Sequence, residues 1–313
     1  MKLTHVAAAV MQRPDGTFLL GQRAAGTFYP GYWEFPGGKV ESGETPREAL
    51  TREWREELGI EVRKAYPWLV REHRYEHAHV RLHFFRVVEW EGELRDHVHS
   101  ALAWQRADAL TVSPMLPANA RVLNALALPE FYAITDASRI GVDVQLAMLR
   151  AALKDGLKLV QLREPNLDKF CREIFAHAVA KLCRESGARL LINSDQDLAR
   201  LVGADGIHMP AKQLMTCEAR PKFPLVAASC HNSAELARAA QLEIDFAVLG
   251  AVKGTESHSD CLPLGWVRFS HLAEMSGLPV FALGGMTHGD LETAWQAGAH
   301  GVAAIRGAWC QVS

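Results

Sequence analysis

Regular alternation of short apolar runs with helical stretches begins at Pro129 and constrains the fold more than any other feature of the sequence. The predicted strands are 131–135, 159–163, 189–193, 206–209, 225–229, 246–252, 279–284 and 301–305. The predicted helices between them include 143–153, 169–185, 234–240 and 290–297. Eight units of strand followed by helix predict a closed parallel (β/α)8 barrel with its site at the C-terminal ends of the strands. Few residues follow the last strand, so we expect a truncated eighth helix.

The length and charge of the chain indicate two domains and a small ligand. The 313 residues are long for one domain and sufficient for two, each with its own core. We predict one domain at 1–128 and a second at 129–313. The formal net charge of −2 gives no general attraction to nucleic acid or membrane. A small anionic substrate is therefore the expected partner.

Cysteine usage and hydropathy indicate the cytoplasm. All six cysteines lie in the second half without C-x-x-C spacing, which is typical of reduced, buried thiols. No apolar run approaches membrane-spanning length, and 6–11 is too short for a signal peptide. We therefore expect a cytoplasmic protein.

The first 128 residues read as a mixed sheet with helices on both sides, an α/β/α sandwich. The predicted strands are 4–12, 17–23, 66–73, 79–90 and 102–104, and a helix is predicted at 117–128. The turn sequence Pro14-Asp15-Gly16 separates the first two strands and predicts a hairpin between them.

The stretch 45–59 carries the signals for both ends of a helix. Thr45 is the expected N-cap, Pro46 the first helical residue, and Glu48 completes a capping box. Gly59 ends the helix. One face is apolar, with Leu50, Trp54 and Leu58. The edge of that face is acidic, with Glu53, Glu56 and Glu57, whereas Glu48, Arg52 and Arg55 fall towards the far side.

The acidic edge of this helix suggests a metal site. Carboxylates three and four residues apart repel each other and weaken an isolated helix by a few tenths of a kcal/mol per pair. A hard divalent cation prefers such oxygen ligands and shares them with substrate phosphates. The alternative is a solvated charged face.

The surrounding residues resemble the signature of the Nudix hydrolases. The matching positions are Gly38, Glu44, Arg52, Glu53, Trp54, Glu56, Glu57, Gly59 and Ile60. The resemblance implies a loop-helix-loop that holds Mg²⁺ (or Mn²⁺) through Glu53, Glu56, Glu57 and the carbonyl of Gly37 or Gly38. It also implies water attack on a nucleoside diphosphate-X linkage, oriented by Glu53 or a neighbouring glutamate. The catalytic residues that it implies are Glu53, Glu44 and Arg52.

Within this family the first 128 residues most resemble the MutT branch, whose substrates are oxidised purine nucleotides such as 8-oxo-dGTP. The matching pieces include 21–23, 34–39, 43–46, 90–93, Trp104 and 117–119. The resemblance places Arg23, Glu34 and Phe35 along the nucleotide. It also implies that Asn119 reads the base, for which an amide offers both a donor and an acceptor. Asn119 could instead be the N-cap of the helix at 117–128.

Two features of this half leave alternatives open. The MutT branch supplies a further acidic residue in the loop before Trp104, where this chain reads Arg95-Asp96-His97-Val98-His99. Asp96 could take that role, or the role could be absent. The pairs His77-x-His79 and His97-x-His99 could bind a transition metal, but histidines on the wet face of a strand are ordinary.

Polar groups follow the predicted barrel strands in an order that resembles the thiamine-phosphate synthase/TenI family of TIM barrels. The matching pieces are QLRE, IN, GADGIHMP, S-x-H, T-x-S and LGG. The resemblance implies ligand binding by Gln161, Arg163, Asn193, Ser229, His231, Thr255, Gly284 and Gly285. The expected ligand is a phosphorylated thiazole or thiamine.

The barrel lacks four charges that a synthase of this family carries. A lysine is replaced by Pro165, an aspartate by Ser194 and a second lysine by His258, and no acid occurs in 210–215. Without these charges Mg²⁺ and a pyrophosphate leaving group are difficult to hold. The glycines and the 305–307 loop that would hold a simple phosphate are kept.

The combined expectation is an 8-oxo-dGTP diphosphatase acting in nucleotide-pool sanitation and DNA repair, joined to a barrel that is degenerate as a synthase. One alternative is a Nudix hydrolase of thiamine-pathway diphosphates. In that alternative the barrel is a synthase, a tautomerase or a ligand-sensing module.

Overall fold

The computed structural model describes residues 2–254 and 262–309. The chain divides into two compact units, Met1–Leu128 and Pro129–Ser313, called here the N-terminal unit and the barrel unit. Both contain strands and helices, so the protein is of the α/β class, as predicted.

Within residues 2–128, the N-terminal unit has seven strands and two α-helices. The strands are β1 (Leu3–Met11), β2 (Phe18–Gln22), β3 (Trp33–Glu34), β4 (Gly37–Lys39), β5 (Glu61–Arg74), β6 (His79–Glu91) and β7 (Ala101–Gln105). The helices are α1 (Pro46–Leu58) and α2 (Ala120–Leu126), the latter preceded by a 3-10 turn at Pro117–Asn119.

The central sheet is mixed and has a helix on each face. Its strand order is β4-β1-β6-β5, in which β1 and β6 are parallel and the other pairs are antiparallel. Ala7 and Ala9 pack in one core cluster with Trp54 of α1, whereas Ala8 packs in another with Val122 of α2. Successive strand residues point to opposite faces, so the two helices cover opposite sides of the sheet. This confirms the predicted sandwich.

The prediction that the first two strands pair as a hairpin is wrong, because β1 and β2 lie in different sheets. Gly16 does make the turn, with a φ of 82°. However, β2 pairs with β3 and β7 in a separate three-stranded sheet, and only a single bridge between Gln12 and Phe18 joins it to the end of β1. The reason is that β4 and β6 already pair with both edges of β1, which leaves no free edge for β2.

Helix α1 has the ends that the sequence predicts. Thr45 and Glu48 make both hydrogen bonds of the capping box, and Gly59 has the left-handed conformation with a φ of 66°. The apolar face is buried, and the indole Nε1 of Trp54 donates to the carbonyl oxygen of Pro36 at 3.0 Å. This bond fixes α1 against the chain just before Gly37.

The barrel unit closes as predicted. Its strands are β8 (Phe131–Ile134), β9 (Leu159–Leu162), β10 (Arg189–Asn193), β11 (Gly206–Met209), β12 (Leu225–Cys230), β13 (Phe246–Gly250), β14 (Val280–Leu283) and β15 (Gly301–Ala304). Each pairs in parallel with the next, and β15 pairs with β8 to close the barrel. The helices are α3 (Ala137–Ile140), α4 (Val142–Lys154), α5 (Lys169–Glu185), α6 (Gln196–Val202), α7 (Ala211–Thr216), α8 (Ser233–Gln241), α9 (Gly265–Ser276) and α10 (Leu291–Gln296).

Alternation along the barrel strands separates an outer apolar layer from a partly polar interior. Ala133 and Val160 pack with the helices in one large core cluster. Their neighbours Tyr132 and Gln161 therefore point into the barrel. After β15 the described chain makes a 3-10 turn at Arg306–Ala308, and the rest of the expected truncated helix falls at 310–313, outside the described residues.

We predict that a fragment ending at Leu128 folds alone, because the N-terminal unit has its own sheet and two core clusters. Circular dichroism should show a cooperative thermal transition for this fragment. A fragment without cooperative unfolding would mean that residues beyond Leu128 supply part of its core.

Candidate functional site

Arg52 gathers three carboxylates at the start of the candidate site. Its Nε and Nη2 donate to the two oxygens of Glu44 at 2.7 and 3.0 Å, and Nη1 donates to Oε1 of Glu53 at 2.9 Å. Nη2 also donates to the carbonyl oxygen of Lys39 at 3.1 Å, and Glu56 lies 3.5 Å from Nη1. Arg52 was predicted to fall towards the far side of α1, and its long side chain reaches from there to the acidic edge.

Glycine is required where the loop meets this edge. A Cβ on Gly38 would lie 2.1 Å from Cδ of Glu53, and one on Gly37 would lie 2.1 Å from the carbonyl oxygen of Ala7. Gly37 also has a φ of 155°, at the edge of the range that other residues rarely adopt. The Glu53 carboxylate therefore lies directly against the backbone of β4.

Glu57 carries the clearest electrostatic sign of a site. Burial, and then repulsion by Glu53, Glu34, Asp96 and Glu56, raises the pKa of Glu57 from 4.5 to about 7. Its Oε2 atom is buried and has no hydrogen-bond partner among the described residues. Folding thus concentrates negative charge around a carboxylate oxygen that lacks a hydrogen-bond partner in the described parts of the chain.

Asp96 lies in the loop before β7, at the place where the sequence left a role open. The amides of Arg95 and His97 donate to the carbonyl oxygens of Leu58 and Glu57, which holds this loop against the end of α1. Asp96 also contributes to the raised pKa of Glu57. Asp96 is therefore close enough to serve as a further acidic residue.

The donor chemistry of this edge suits a hard divalent cation, but no finished ligand set is present. Across residues 2–254 and 262–309, no three His, Cys, Asp or Glu side chains are gathered as closely as a bound metal would hold them. The side chain of Glu56 is 62% exposed, and one oxygen of Glu53 is engaged by Arg52. The unpartnered Oε2 of Glu57 and the surrounding carboxylates fit Mg²⁺ or Mn²⁺, which would relieve their repulsion.

Arg23 and Glu34 form a half-buried ion pair at the other expected part of the site. Nη1 of Arg23 lies 2.7 Å from both oxygens of Glu34. Burial nevertheless raises the pKa of Glu34, although Arg23 opposes the shift. Phe35 is buried between Phe18 and Phe84, so it forms the core wall behind this pair.

The side chain of Asn119 does not cap a helix, and its buried amide is available to bind a ligand. It occupies the N-cap position of α2 but makes no side-chain capping bond. The residue is 5% exposed, and its Nδ2 has no hydrogen-bond partner among the described residues. A buried amide donor without a partner costs roughly 1 to 3 kcal/mol, so a bound acceptor would be stabilising here.

An aromatic group near this site was missed by sequence reasoning. Its members are Phe28, Tyr29, Tyr32, Tyr75 and His77. The rings of Phe28 and His77 stack with centroids 4.0 Å apart, and the ring of Tyr75 lies 5.6 Å from that of Tyr29. The aromatic residues of 28–33 were a visible signal, but the sequence did not pair them with the β5–β6 turn.

Histidines of the two pairs considered for a transition metal make other contacts. His77 stacks on Phe28, whereas His79 pairs with Glu72 at 3.3 Å. The ring of His99 packs against Gly21, where a Cβ would lie 2.3 Å from its Cδ2. These contacts favour ordinary structural roles.

A buried chain of polar side chains crosses the barrel interior. Nε2 of Gln161 donates to the hydroxyl oxygen of Tyr132 at 3.0 Å, and that oxygen lies 3.3 Å from Nδ1 of His208. Nε2 of His208 lies 2.8 Å from Oγ of Ser229. Tyr132 and His208 were not among the predicted ligand-binding residues. The hydrogen-bonded series that contains them is formed by side chains from four different strands, which the sequence does not bring together.

The remaining expected barrel residues surround the C-terminal ends of the strands. Arg163 is exposed, Asn193 is half-buried, and exposed His231 pairs with Glu235 at 2.9 Å. Thr255, with Ser257 and His258, lies outside the described residues. Ser194, which replaces an aspartate of the synthase pattern, has a left-handed φ of 62°.

Two glycine loops meet at one side of the barrel mouth. Gly284 and Gly285 have φ values of 111° and 63°. A Cβ on Gly307 would lie 2.2 Å from the carbonyl oxygen of Met286, so the 305–307 loop abuts the loop that follows β14. Lys253 lies alongside Gly285 and pairs with Asp290 at 2.5 Å. Such adjacent backbone loops can hold a phosphate.

We predict that Glu57→Gln stabilises the metal-free protein at alkaline pH. Because folding raises the pKa of Glu57 from 4.5 to about 7, the folded state binds more protons between these values, and the free energy of unfolding falls as the pH rises through this window. With a chelator present, the variant should have the higher unfolding temperature at pH 8, and the difference should shrink towards pH 5.

The control is Glu93→Gln, at an exposed position. It should change the unfolding temperature at neither pH 8 nor pH 5. Added Mg²⁺ or Mn²⁺ should raise the unfolding temperature of the unmodified protein more than that of the Glu57 variant. A lower unfolding temperature for Glu57→Gln at pH 8 without metal would show that the ionised Glu57 carboxylate is not destabilised by burial and by its acidic neighbours.

Comparison with known proteins agrees with this geometry. The family model described as thiamine monophosphate synthase matches residues 131–308, and the NUDIX domain model matches residues 2–126. The CTP pyrophosphohydrolase of Escherichia coli is 40% identical over 125 residues, which are 40% of this chain and 92% of that protein. The thiamine-phosphate synthase of Laribacter hongkongensis is 33% identical over 169 residues, which are 53% of this chain and 80% of that protein.

Among solved structures, the solution structure of the E. coli ORF135 protein is 41% identical, with a TM-score of 0.35, and covers 39% of this chain and 87% of that chain. Within the described residues, no helix is long and apolar enough to cross a membrane. Nudix domains act on pyrophosphate bonds and generally use divalent cations such as Mg²⁺, and both kinds of domain act on small phosphorylated molecules. The chain therefore belongs to the thiamine monophosphate synthase family through its barrel, and it is also a Nudix hydrolase through its N-terminal domain.

Proposed function

We propose that the N-terminal unit hydrolyses 8-oxo-dGTP to 8-oxo-dGMP and pyrophosphate, which would remove an oxidised precursor from the nucleotide pool. The observation that carries the proposal is the set of carboxylates held around β4 by Arg52. The domains at 1–128 and 129–313 and a cytoplasmic location are part of the same proposal.

The arrangement assigns separate roles to Arg52, Glu44 and Glu53. Hydrogen bonds to Glu44 and Glu53 raise the pKa of Arg52, so it keeps its charge. Glu44, whose pKa Arg52 lowers, accepts two of its hydrogen bonds and fixes the guanidinium. Oε1 of Glu53 is held by Arg52, which leaves Oε2 open towards the cation and the substrate. Glu53 or a neighbouring glutamate orients the attacking water and accepts its proton.

Glu53, Glu56, Glu57 and a backbone carbonyl of Gly37 or Gly38 would hold the divalent cation. When bound, the cation supplies charge neutralisation on the phosphates. Oε2 of Glu57 is the strongest candidate ligand atom because it is buried and lacks a partner among the described residues. Asp96 adds negative charge to the same place.

Asn119 and the Arg23–Glu34 pair are proposed to position the nucleotide. The Nδ2 of Asn119 can donate to an acceptor atom on the base, which satisfies the unpartnered amide. Arg23 is half-buried and can contact a phosphate or sugar oxygen while Glu34 holds it in place.

CTP is the second candidate substrate. The E. coli relative that carries this activity in its name is 40% identical over almost its whole length. Cytosine also offers ring and carbonyl acceptors to an amide donor, so the Asn119 environment accommodates either base. Comparing hydrolysis rates for 8-oxo-dGTP and CTP decides between them.

For the barrel, we propose binding of a thiazole phosphate or thiamine phosphate without efficient synthesis of thiamine phosphate. The adjacent glycine loops support phosphate binding. The absent charges at Pro165, Ser194 and within 210–215 oppose binding of a metal-pyrophosphate group. His231 could move protons near a strand end, as in the TenI-type tautomerases.

We predict that Glu53→Gln lowers kcat by at least about a hundredfold, because the variant can neither accept the proton nor organise the cation. Steady-state kinetics with 8-oxo-dGTP and Mg²⁺ or Mn²⁺ would measure the effect, and circular dichroism would verify the fold. Glu89→Gln, on the exposed side of β6, should retain normal turnover. Near-normal turnover of Glu53→Gln would mean that the carboxylates of α1 form an ordinary solvated surface without a catalytic role.

We predict that Asn119→Ala reduces the discrimination between 8-oxo-dGTP and dGTP by roughly 1 to 3 kcal/mol, because a site that donates to the base penalises the wrong edge. The ratio of kcat/KM values measures this discrimination. Asn124→Ala on the exposed face of α2 is the matched control and should leave the ratio unchanged. Equal losses for both nucleotides in Asn119→Ala would indicate a structural role.

We predict that calorimetry detects binding of thiazole phosphate or thiamine phosphate, whereas little or no thiamine phosphate forms from the pyrimidine diphosphate and thiazole phosphate. Gly285→Ala should weaken binding because it strains a phosphate loop at a left-handed position. Gly289→Ala should not, because a Cβ there meets only Oγ1 of Thr287 at 3.6 Å. Robust synthesis would overturn the proposal for the barrel.

A further inference from the structure

The hydrogen-bonded series of polar side chains inside the barrel joins residues from four strands. Tyr132 lies on β8, Gln161 on β9, His208 on β11 and Ser229 on β12. Tyr132 is 0% exposed, and Gln161 and His208 are each 1% exposed, whereas Ser229 is half-buried. The first three are therefore withdrawn from solvent, and Ser229 is the end of the chain that a ligand can reach.

The donors and acceptors of these four side chains fix the direction in which the hydrogen bonds run, from Gln161 to Ser229. Nε2 of Gln161 donates to the hydroxyl oxygen of Tyr132, so the hydroxyl hydrogen remains for the neighbouring Nδ1 of His208. Burial and then the charge of Arg163 lower the pKa of His208 to about 3, so the ring is neutral and has one acceptor nitrogen and one donor nitrogen. With Nδ1 as the acceptor, Nε2 carries the hydrogen and donates to Ser229.

We propose that Gln161, Tyr132 and His208 form a buried positioning chain that makes the Ser229 hydroxyl a donor to the ligand of the barrel. The hydroxyl oxygen of Ser229 is occupied by the hydrogen on Nε2 of His208, so its own hydrogen is left for the open side. A ligand that presents a hydrogen-bond acceptor at this point, as a phosphate oxygen or an unprotonated ring nitrogen does, can therefore accept the Ser229 hydrogen. Ser229 contacts the ligand, and the other three residues act through it.

The reverse order of hydrogens is the competing arrangement. If the Gln161 side-chain amide were turned over, its oxygen would accept from Tyr132, and Nδ1 of His208 would carry the ring hydrogen. Ser229 would then donate to His208 and could only accept from a ligand. The tautomer of His208 therefore distinguishes the two directions.

Nitrogen-15 NMR of the full chain with labelled histidine measures that tautomer directly. The His208 signals are assigned by their loss in His208→Gln. The proposal requires hydrogen on Nε2 and a neutral ring between pH 6 and pH 8. Hydrogen on Nδ1, or a charged ring, overturns it.

Ligand binding tests the consequence for Ser229 and rests on the proposed function of the barrel. With thiazole phosphate as the probe, Ser229→Ala should raise Kd about fivefold to tenfold, since a neutral hydrogen bond contributes about 1 kcal/mol. Tyr132→Phe should raise Kd by a smaller factor and give a mixture of His208 tautomers. The double variant should bind no more weakly than Ser229→Ala, because Tyr132 acts only through Ser229.

Multiplying effects in the double variant would overturn the positioning role, because Tyr132 would then affect binding by another route. Inorganic phosphate and thiazole alone, compared in the same variants, identify whether the acceptor is a phosphate oxygen or a ring nitrogen. If thiazole phosphate does not bind the unmodified protein, the proposed ligand fails, but the tautomer of His208 still decides the direction of the chain.

Discussion

The hydrogen bonds of Arg52 are the interaction on which the candidate hydrolase site depends. Without a cation between them, Glu44, Glu53 and Glu56 would repel each other across the loop and α1. One guanidinium bonds to the first two, lies close to the third and also holds the backbone carbonyl of Lys39. It therefore joins the loop to the helix before any substrate arrives, whereas Glu57 keeps a buried oxygen without a partner among the described residues.

This arrangement needs support from groups that carry no catalytic chemistry. The indole of Trp54 fixes α1 to the carbonyl of Pro36, and the glycines at 37 and 38 let the backbone approach both β1 and Glu53. The Trp54 side chain and the absence of side chains at 37 and 38 together set the distance between α1 and β4. Substitutions at these positions would move Glu53 even though they remove no charge.

Local signals in the sequence were sufficient for α1 and the barrel strands but not for contacts between distant segments. The capping box and Gly59 are read within a few residues, and the structure has both. The β1–β2 hairpin was predicted wrongly because the turn sequence contains no information on which strands take the edges of β1. Likewise, His208 was visible as a polar residue at a strand end, but its bond to Tyr132 depends on closure of the barrel.

The most direct test of the account incubates the full-length protein and Mg²⁺ with 8-oxo-dGTP, dGTP, CTP and thiamine-pathway diphosphates. It measures kcat/KM for each compound and identifies the products. The account predicts the highest value for 8-oxo-dGTP, with the monophosphate and pyrophosphate as products. Release of the diphosphate and phosphate, or a higher kcat/KM for CTP or a thiamine-pathway diphosphate, would contradict it.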